Sequence, residues 1–119
     1  MATRSLIQLR GFIESLPGGS KNIVPADIQN TTPPEAETQL ILASGANTVV
    51  IPALARGAVI VFDSTSTVTK TLKGVTGDTG ILIRKDSWHV LGFDSPAPAD
   101  FVITASAADT GKYTRIVWF

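Results

Sequence analysis

Gly57-Ala58-Val59-Ile60-Val61-Phe62, closed by Asp63-Ser64, is the stretch that decides the class of fold. The run is too short for a helix of ordinary length and is rich in β-branched residues, which suit a pleated surface. On a strand, successive side chains alternate between faces. Ala58, Ile60 and Phe62 therefore fall on one side, and Val59 and Val61 on the other.

The same texture extends in both directions. Working outward, short β-rich runs occupy 38–43, 47–51, 57–62, 67–73, 80–84, 87–93, 101–105 and 112–119. Between them stand turn residues: Ser44-Gly45, Pro52, Asp63-Ser64, the segment 74–79, Lys85-Asp86, the segment 95–98 and Asp109-Thr110-Gly111. Short strands at roughly 10-residue spacing predict an antiparallel sandwich or a jelly-roll-like domain. The expected fold is all-β, with the domain spanning 38–119.

Several of these strands are apolar on both faces. Ile81 and Ile83 oppose Leu82, Trp88 and Val90 oppose Leu91 and Phe93, and Ile116 and Trp118 oppose Val117 and Phe119. A sandwich with one wet face should alternate apolar with polar. Each Val, Ile or Phe left in water forgoes roughly 1.5–3 kcal/mol of burial, and a small domain keeps a large fraction of its surface. The second face therefore predicts cover from elsewhere, with partner subunits as its natural source.

Residues 1–37 differ. Pro17-Gly18-Gly19-Ser20, Pro25 and Thr31-Thr32-Pro33-Pro34 interrupt them, and such clusters break regular structure. Leu6, Leu9, Ile13 and Leu16 fit one face of a helix; Ile7, Leu9, Gly11 and Ile13 fit one face of a strand, and periodicity does not choose. The segment is too apolar for a disordered tail. It reads as an extended arm that lies on its own domain or on a neighbour.

Composition narrows the function. The chain of 119 residues balances 10 Lys plus Arg against 10 Asp plus Glu. No basic excess supports binding to nucleic acid through its phosphates. Charged residues make up 17% and hydrophobic ones 44%. Near-zero net charge favours association. The absence of Cys removes disulfides and thiolate metal sites. No apolar run is long enough for a membrane helix, and 1–10 lacks a secretory pattern, so neither a membrane nor an export route is expected.

Each residue set that could carry chemistry has a competing structural role. Asp86, Ser87 and His89 form a nucleophile set only on paper, because residues two apart on a strand lie about 6.6 Å from each other. Gly18-Gly19-Ser20-Lys21 lacks the spacing of a phosphate loop and reads as a turn. Gly74, Gly77 and Gly80 read as turn glycines. Asp63, Asp78, Asp86, Asp94, Asp100 and Asp109 are scattered over separate loops without a calcium-loop pattern. Trp88, Trp118 and Tyr113 could stack on sugar rings, but strand aromatics are more often core or interface anchors. The expectation is a non-enzyme with no catalytic, cofactor or metal residues and no small-molecule substrate.

One resemblance is carried by residues 40–94. Ser44-Gly45-Ala46-Asn47-Thr48-Val49-Val50-Ile51-Pro52 opens it and Arg56-Gly57-Ala58-Val59-Ile60-Val61-Phe62 follows. Then come Leu72-Lys73-Gly74-Val75-Thr76-Gly77-Asp78-Thr79-Gly80-Ile81-Leu82-Ile83 and Trp88-His89-Val90-Leu91. This order, with the aromatic end Arg115-Ile116-Val117-Trp118-Phe119, resembles β-domains of tailed-bacteriophage virion structural proteins. The resemblance implies a capsid cement or decoration subunit, or else a tail fibre, tail tip or neck module. It implies a homotrimer that contacts itself and the major capsid protein, in virions assembled in the host cytoplasm. On that reading Leu6, Ile7, Leu9, Phe12, Ile13, Ile23 and Val24 are the expected arm contacts. Val59, Val61, Trp118 and Phe119 are the expected oligomer contacts. A carbohydrate-binding sandwich is the further alternative.

Overall fold

A computed structural model describes residues 5–7, 11–15, 19–23, 28–30, 37–94 and 97–119, with side chains from Asn30 onward. The N-terminal part carries β1 (Ser5–Ile7), β2 (Gly11–Ser15), β3 (Gly19–Ile23) and β4 (Ile28–Asn30). The domain proper carries β5 (Glu37–Leu40), β6 (Gly45–Val50), β7 (Gly57–Val61) and β8 (Lys70–Lys73). It continues with β9 (Ile81–Ile83), β10 (Trp88–Gly92), β11 (Asp100–Ala105) and β12 (Thr114–Trp118). Each expected run overlaps one of these eight strands, with β5, β6 and β11 beginning one or two residues before the run.

Two antiparallel sheets form, in the orders β10-β7-β12-β5 and β6-β11-β8-β9. Consecutive strands β5 and β6 enter different sheets, as do β7 and β8, and as do β11 and β12. Counting β5 as the first of eight, the sheets read 6-3-8-1 and 2-7-4-5. That is the double Greek key of a jelly roll. The fold is an all-β sandwich with this topology.

The core lies between the sheets. From the first sheet, Ala58, Ile60, Phe62, Ile116 and Trp118 point inward; from the second come Val49, Phe101, Ile103 and Ala105. The register sets this side: Ile60 pairs with His89 and Ile116, and Ile103 pairs with Asn47 and Leu72. Trp118 stacks at a tilt on Phe101, 6.2 Å between centroids, and its indole donates to Thr38 Oγ1 at 3.1 Å. Burying a side chain such as Ile60 or Ile103 stabilises the fold by roughly 1.5–3 kcal/mol.

Gly57 is needed for space. A Cβ there would stand 2.3 Å from the Leu91 carbonyl oxygen and 2.4 Å from Cζ of Phe119. The Phe119 ring fills the place of the absent side chain, while its carbonyl accepts from the backbone N–H groups of Arg56 and Gly57.

The N-terminal segment, expected as an extended arm interrupted by breakers, carries paired strands among its described residues. β1 pairs with β4 and β2 with β3, both antiparallel, so one hairpin is nested inside another. The strand alternative therefore holds for 5–7 and 11–15, where sequence left helix and strand open. Ser20 and Lys21 lie in β3, and the turn expected for Gly18-Gly19-Ser20-Lys21 is corrected for residues 19–21. Asn30, at the end of β4, is buried and donates to the Leu54 carbonyl at 2.9 Å, which ties this segment to the β6–β7 loop.

Candidate interaction surface

The outward face of the β10-β7-β12-β5 sheet is built from alternate residues of its strands. One cross-strand row is Val90, Val59, Val117 and Glu37; the next is Trp88, Val61, Arg115 and Gln39. Cross-strand neighbours on one face lie about 4.5–5.5 Å apart, so the five apolar side chains are contiguous. Trp88 is 56% exposed, and Val90 and Val117 are also exposed, whereas Val59 and Val61 are half-buried between them. The polar end is an ion pair: Arg115 Nε donates to Glu37 Oε1 at 2.6 Å. That bond, above all, holds the Glu37 carboxyl below its ordinary pKa and raises that of the Arg115 guanidinium.

The second sheet exposes a different apolar element. β9 is an edge strand with Ile81 67% and Leu82 70% exposed, although these neighbours point to opposite faces. Proteins commonly blunt such edges with charge or proline; Ile81-Leu82-Ile83 carries neither. Beside it, Leu72, Ile81, Leu91 and Phe101 line a groove of about 480 Å³ where the two sheets part. Thus β9 and β10, the edge strands of opposite sheets, border one apolar side of the sandwich.

The expected contact residues divide. Val59 and Val61 lie on the outward face. Trp118 and Phe119 do not offer oligomer contacts on the folded chain: they are 4% and 2% exposed, Trp118 in the inter-sheet core and Phe119 over Gly57. Parity along the C-terminal strand does not say which side faces the core; pairing with Ala58 turns Trp118 inward, away from the oligomer contact expected of it. Of the arm contacts, Leu6, Ile7, Phe12, Ile13 and Ile23 lie on strands whose side chains are outside the described residues, as are Leu9 and Val24 altogether.

His89 is half-buried; its Nε2 is 2.9 Å from the Arg84 carbonyl and its ring meets Phe62 edge-on at 5.7 Å. The scattered aspartates have local tasks. Asp63 accepts from Thr65 N and Oγ1, bonds that lower its pKa, and Asp78 accepts from Val75 N. Among the described residues no three His, Asp or Glu converge as metal ligands would.

Sequence reasoning missed one cluster. Lys70 is fully buried, and its Nζ donates to Ser66 Oγ at 2.7 Å, to the Lys85 carbonyl at 2.9 Å and to the Val68 carbonyl at 3.1 Å. Ser66 Oγ in turn donates to the buried Asp109 at 2.9 and 3.0 Å. The signal was present: Val68, Lys70 and Leu72 share strand parity, so a cation sits on an apolar face.

Comparison with known protein families, with curated proteins and with solved structures finds no match. What fold and surface define together is a jelly-roll sandwich with an apolar sheet face and an unblunted apolar edge open to solvent.

Proposed function

We propose that the chain is a non-enzymatic virion structural protein, most simply a capsid cement or decoration subunit that stabilises a bacteriophage shell through subunit contacts. The observation that carries this reading is the contiguous apolar face of Trp88, Val90, Val59, Val61 and Val117. Contiguous apolar surface beyond what isolated residues make marks sites of interaction. A central Trp is the residue type that most often anchors an interface. Low charge content supports the same use, since little repulsion opposes packing of copies. Jelly rolls serve in viral capsids, but also in lectins and cupins; the fold therefore supports the reading by analogy alone.

The partners on this reading are further copies, as a homotrimer, and the major capsid protein. The same surface serves a tail fibre, tail tip or neck module equally well, and copy number in the particle separates the two. Light scattering coupled to size exclusion tests the assembly step. A trimer at micromolar concentration is expected for the wild type, and a monomer for Trp88→Asp. A wild-type chain that remains monomeric and joins no particle overturns the proposal.

A second reading has its own observation. Trp88 and Tyr113 are exposed, at 56% and 58%, as a carbohydrate-binding module requires of rings that stack on sugars. Glycan binding that quenches tryptophan emission and is lost in Trp88→Ala would favour it.

A further inference from the structure

The buried cluster beneath the core has a chemistry that assembly does not use. Lys70 Nζ lies 3.4 Å from Asp109 Oδ2, with side chains 0% and 3% exposed, and the Phe62 ring covers the amine at 4.7 Å from its centroid. An ion pair removed from water carries a desolvation penalty of several kcal/mol per ion. Transfer of one proton from the ammonium to the carboxylate abolishes both charges.

Ser66 provides the path for that proton. Its hydroxyl accepts from Nζ at 2.7 Å and donates to both Asp109 oxygens at 2.9 and 3.0 Å. A shift of one proton along this chain leaves a neutral amine and a neutral carboxylic acid. The two N–H groups that remain on Nζ stay on the carbonyls of Val68 and Lys85. Nζ stands 3.4 Å from the nearer carboxyl oxygen, and holding two reactants together in a fixed orientation removes most of the entropic cost of their meeting.

We infer that Lys70 and Asp109 are a site of self-modification, joined by an intramolecular isopeptide bond. Nζ attacks Cγ of the protonated Asp109, a C–N bond forms, and one carboxyl oxygen leaves as water with a proton from Nζ. Ammonium and carboxylate become one secondary amide and one water, with no oxidant, nucleotide or metal consumed. The bond ties β8 to the loop between β11 and β12, the connection from one sheet to the other. It is independent of the virion reading.

The test is the intact mass of the full chain, purified, incubated in its folded state and then denatured. The expected mass is that of the sequence less one water, and digestion should yield a branched peptide with the Lys70 side chain joined to Asp109. Lys70→Ala and Asp109→Ala should each return to full sequence mass. Ser66→Ala should accumulate the lighter species more slowly after refolding. Wild-type protein at full sequence mass after prolonged incubation overturns the inference, and this measurement depends on no variant folding. A missing water that persists in Lys70→Ala overturns it as well, because the loss then arises elsewhere.

Discussion

Adding one methyl group at Gly57 should be among the most damaging single changes in the domain. Gly57→Ala introduces no backbone strain by its conformation, since Gly57 is not among the glycines held at positive φ. The damage is steric and has two sources. The new carbon would meet the Leu91 carbonyl oxygen at 2.3 Å and the Phe119 ring at 2.4 Å. The ring can move, but only by leaving a place where it is 2% exposed. Losing that burial costs about 1.5–3 kcal/mol. The carbonyl belongs to the β10–β7 ladder and can move only by disturbing the register of Leu91 with Ala58 and Gly92 with Gly57. Overpacking of this kind costs about 1–3 kcal/mol. The sum is about 2.5–6 kcal/mol, a large part of the roughly 5–15 kcal/mol that holds a domain together.

Urea unfolding followed by the fluorescence of buried Trp118 measures the loss. With a slope of about 1–3 kcal/mol/M, the midpoint should fall by about 2 M with the slope unchanged. A double-mutant cycle then separates the two sources. Phe119→Ala alone should cost about 3–5 kcal/mol. On that background Gly57→Ala should cost less than in the wild type but not nothing, because the Leu91 carbonyl remains. A Gly57→Ala variant within about 0.5 kcal/mol of wild type, the range of an ordinary surface change, would refute the close approach and with it the β10–β7 register. Strict additivity would refute the seat of the ring.

Other parts of the molecule give equally definite outcomes. Asp109→Ala leaves Lys70 buried without its counterion and should be less stable, by about 3–5 kcal/mol, than a variant in which Lys70 and Asp109 are both apolar, in the same urea assay. Trp88→Asp should leave unfolding within about 1 kcal/mol of wild type while abolishing assembly, since its side chain is 56% exposed. Leu54 holds φ at 70°, in the left-handed region; Leu54→Gly should raise stability by about 1 kcal/mol by relieving that strain. Carboxyl NMR titration should find Glu37 below its ordinary 4.5, chiefly through the Arg115 bond. A depressed carboxylate stabilises the fold above its unfolded pKa and loses that contribution as pH falls through the folded value. Any pH effect of this pair therefore falls below about pH 4.5, and Arg115→Gln should bring the titration back up.

The strands were legible because each run is short, rich in β-branched or aromatic residues and bounded by turn residues. Asp109-Thr110-Gly111 turns before β12, and Gly45 and Gly111 take the positive φ that a turn needs. Which face points inward was legible only in part. In β7 the smaller and larger apolar sets looked alike, and the register with β12 and β10 made Ala58, Ile60 and Phe62 core. Strand order was not legible, because the pairing of β12 with both β5 and β7 joins residues far apart in sequence. The N-terminal strands were obscured by Pro and Gly clusters that lie between them as well as by competing periods. Lys70 escaped notice because a lysine next to Thr71 and Lys73 looks solvated until its parity with Val68 and Leu72 is counted.

The two-faced strands have more than one cause, and the distinction sharpens the case for assembly. Val102 and Phe119 are apolar residues outside the inter-sheet core, yet both are buried within this chain, at 3% and 2%. For them the second apolar face is explained without a partner. Of the ten large apolar residues that remain exposed among the described residues, Trp88, Val90, Ile81 and Leu82 fall together. They are not spread evenly: Trp88 and Val90 lie on β10, and Ile81 and Leu82 on β9, the edges of the two sheets that border the same open side. Chance exposure of apolar residues is common and scattered. Clustering on two adjacent edges, in a chain that has buried comparable residues elsewhere, is the pattern of a surface kept free for contact. If it is such a surface, charge placed at Ile81 and at Trp88 should each weaken assembly, and charge placed at Val102 should instead unfold the chain.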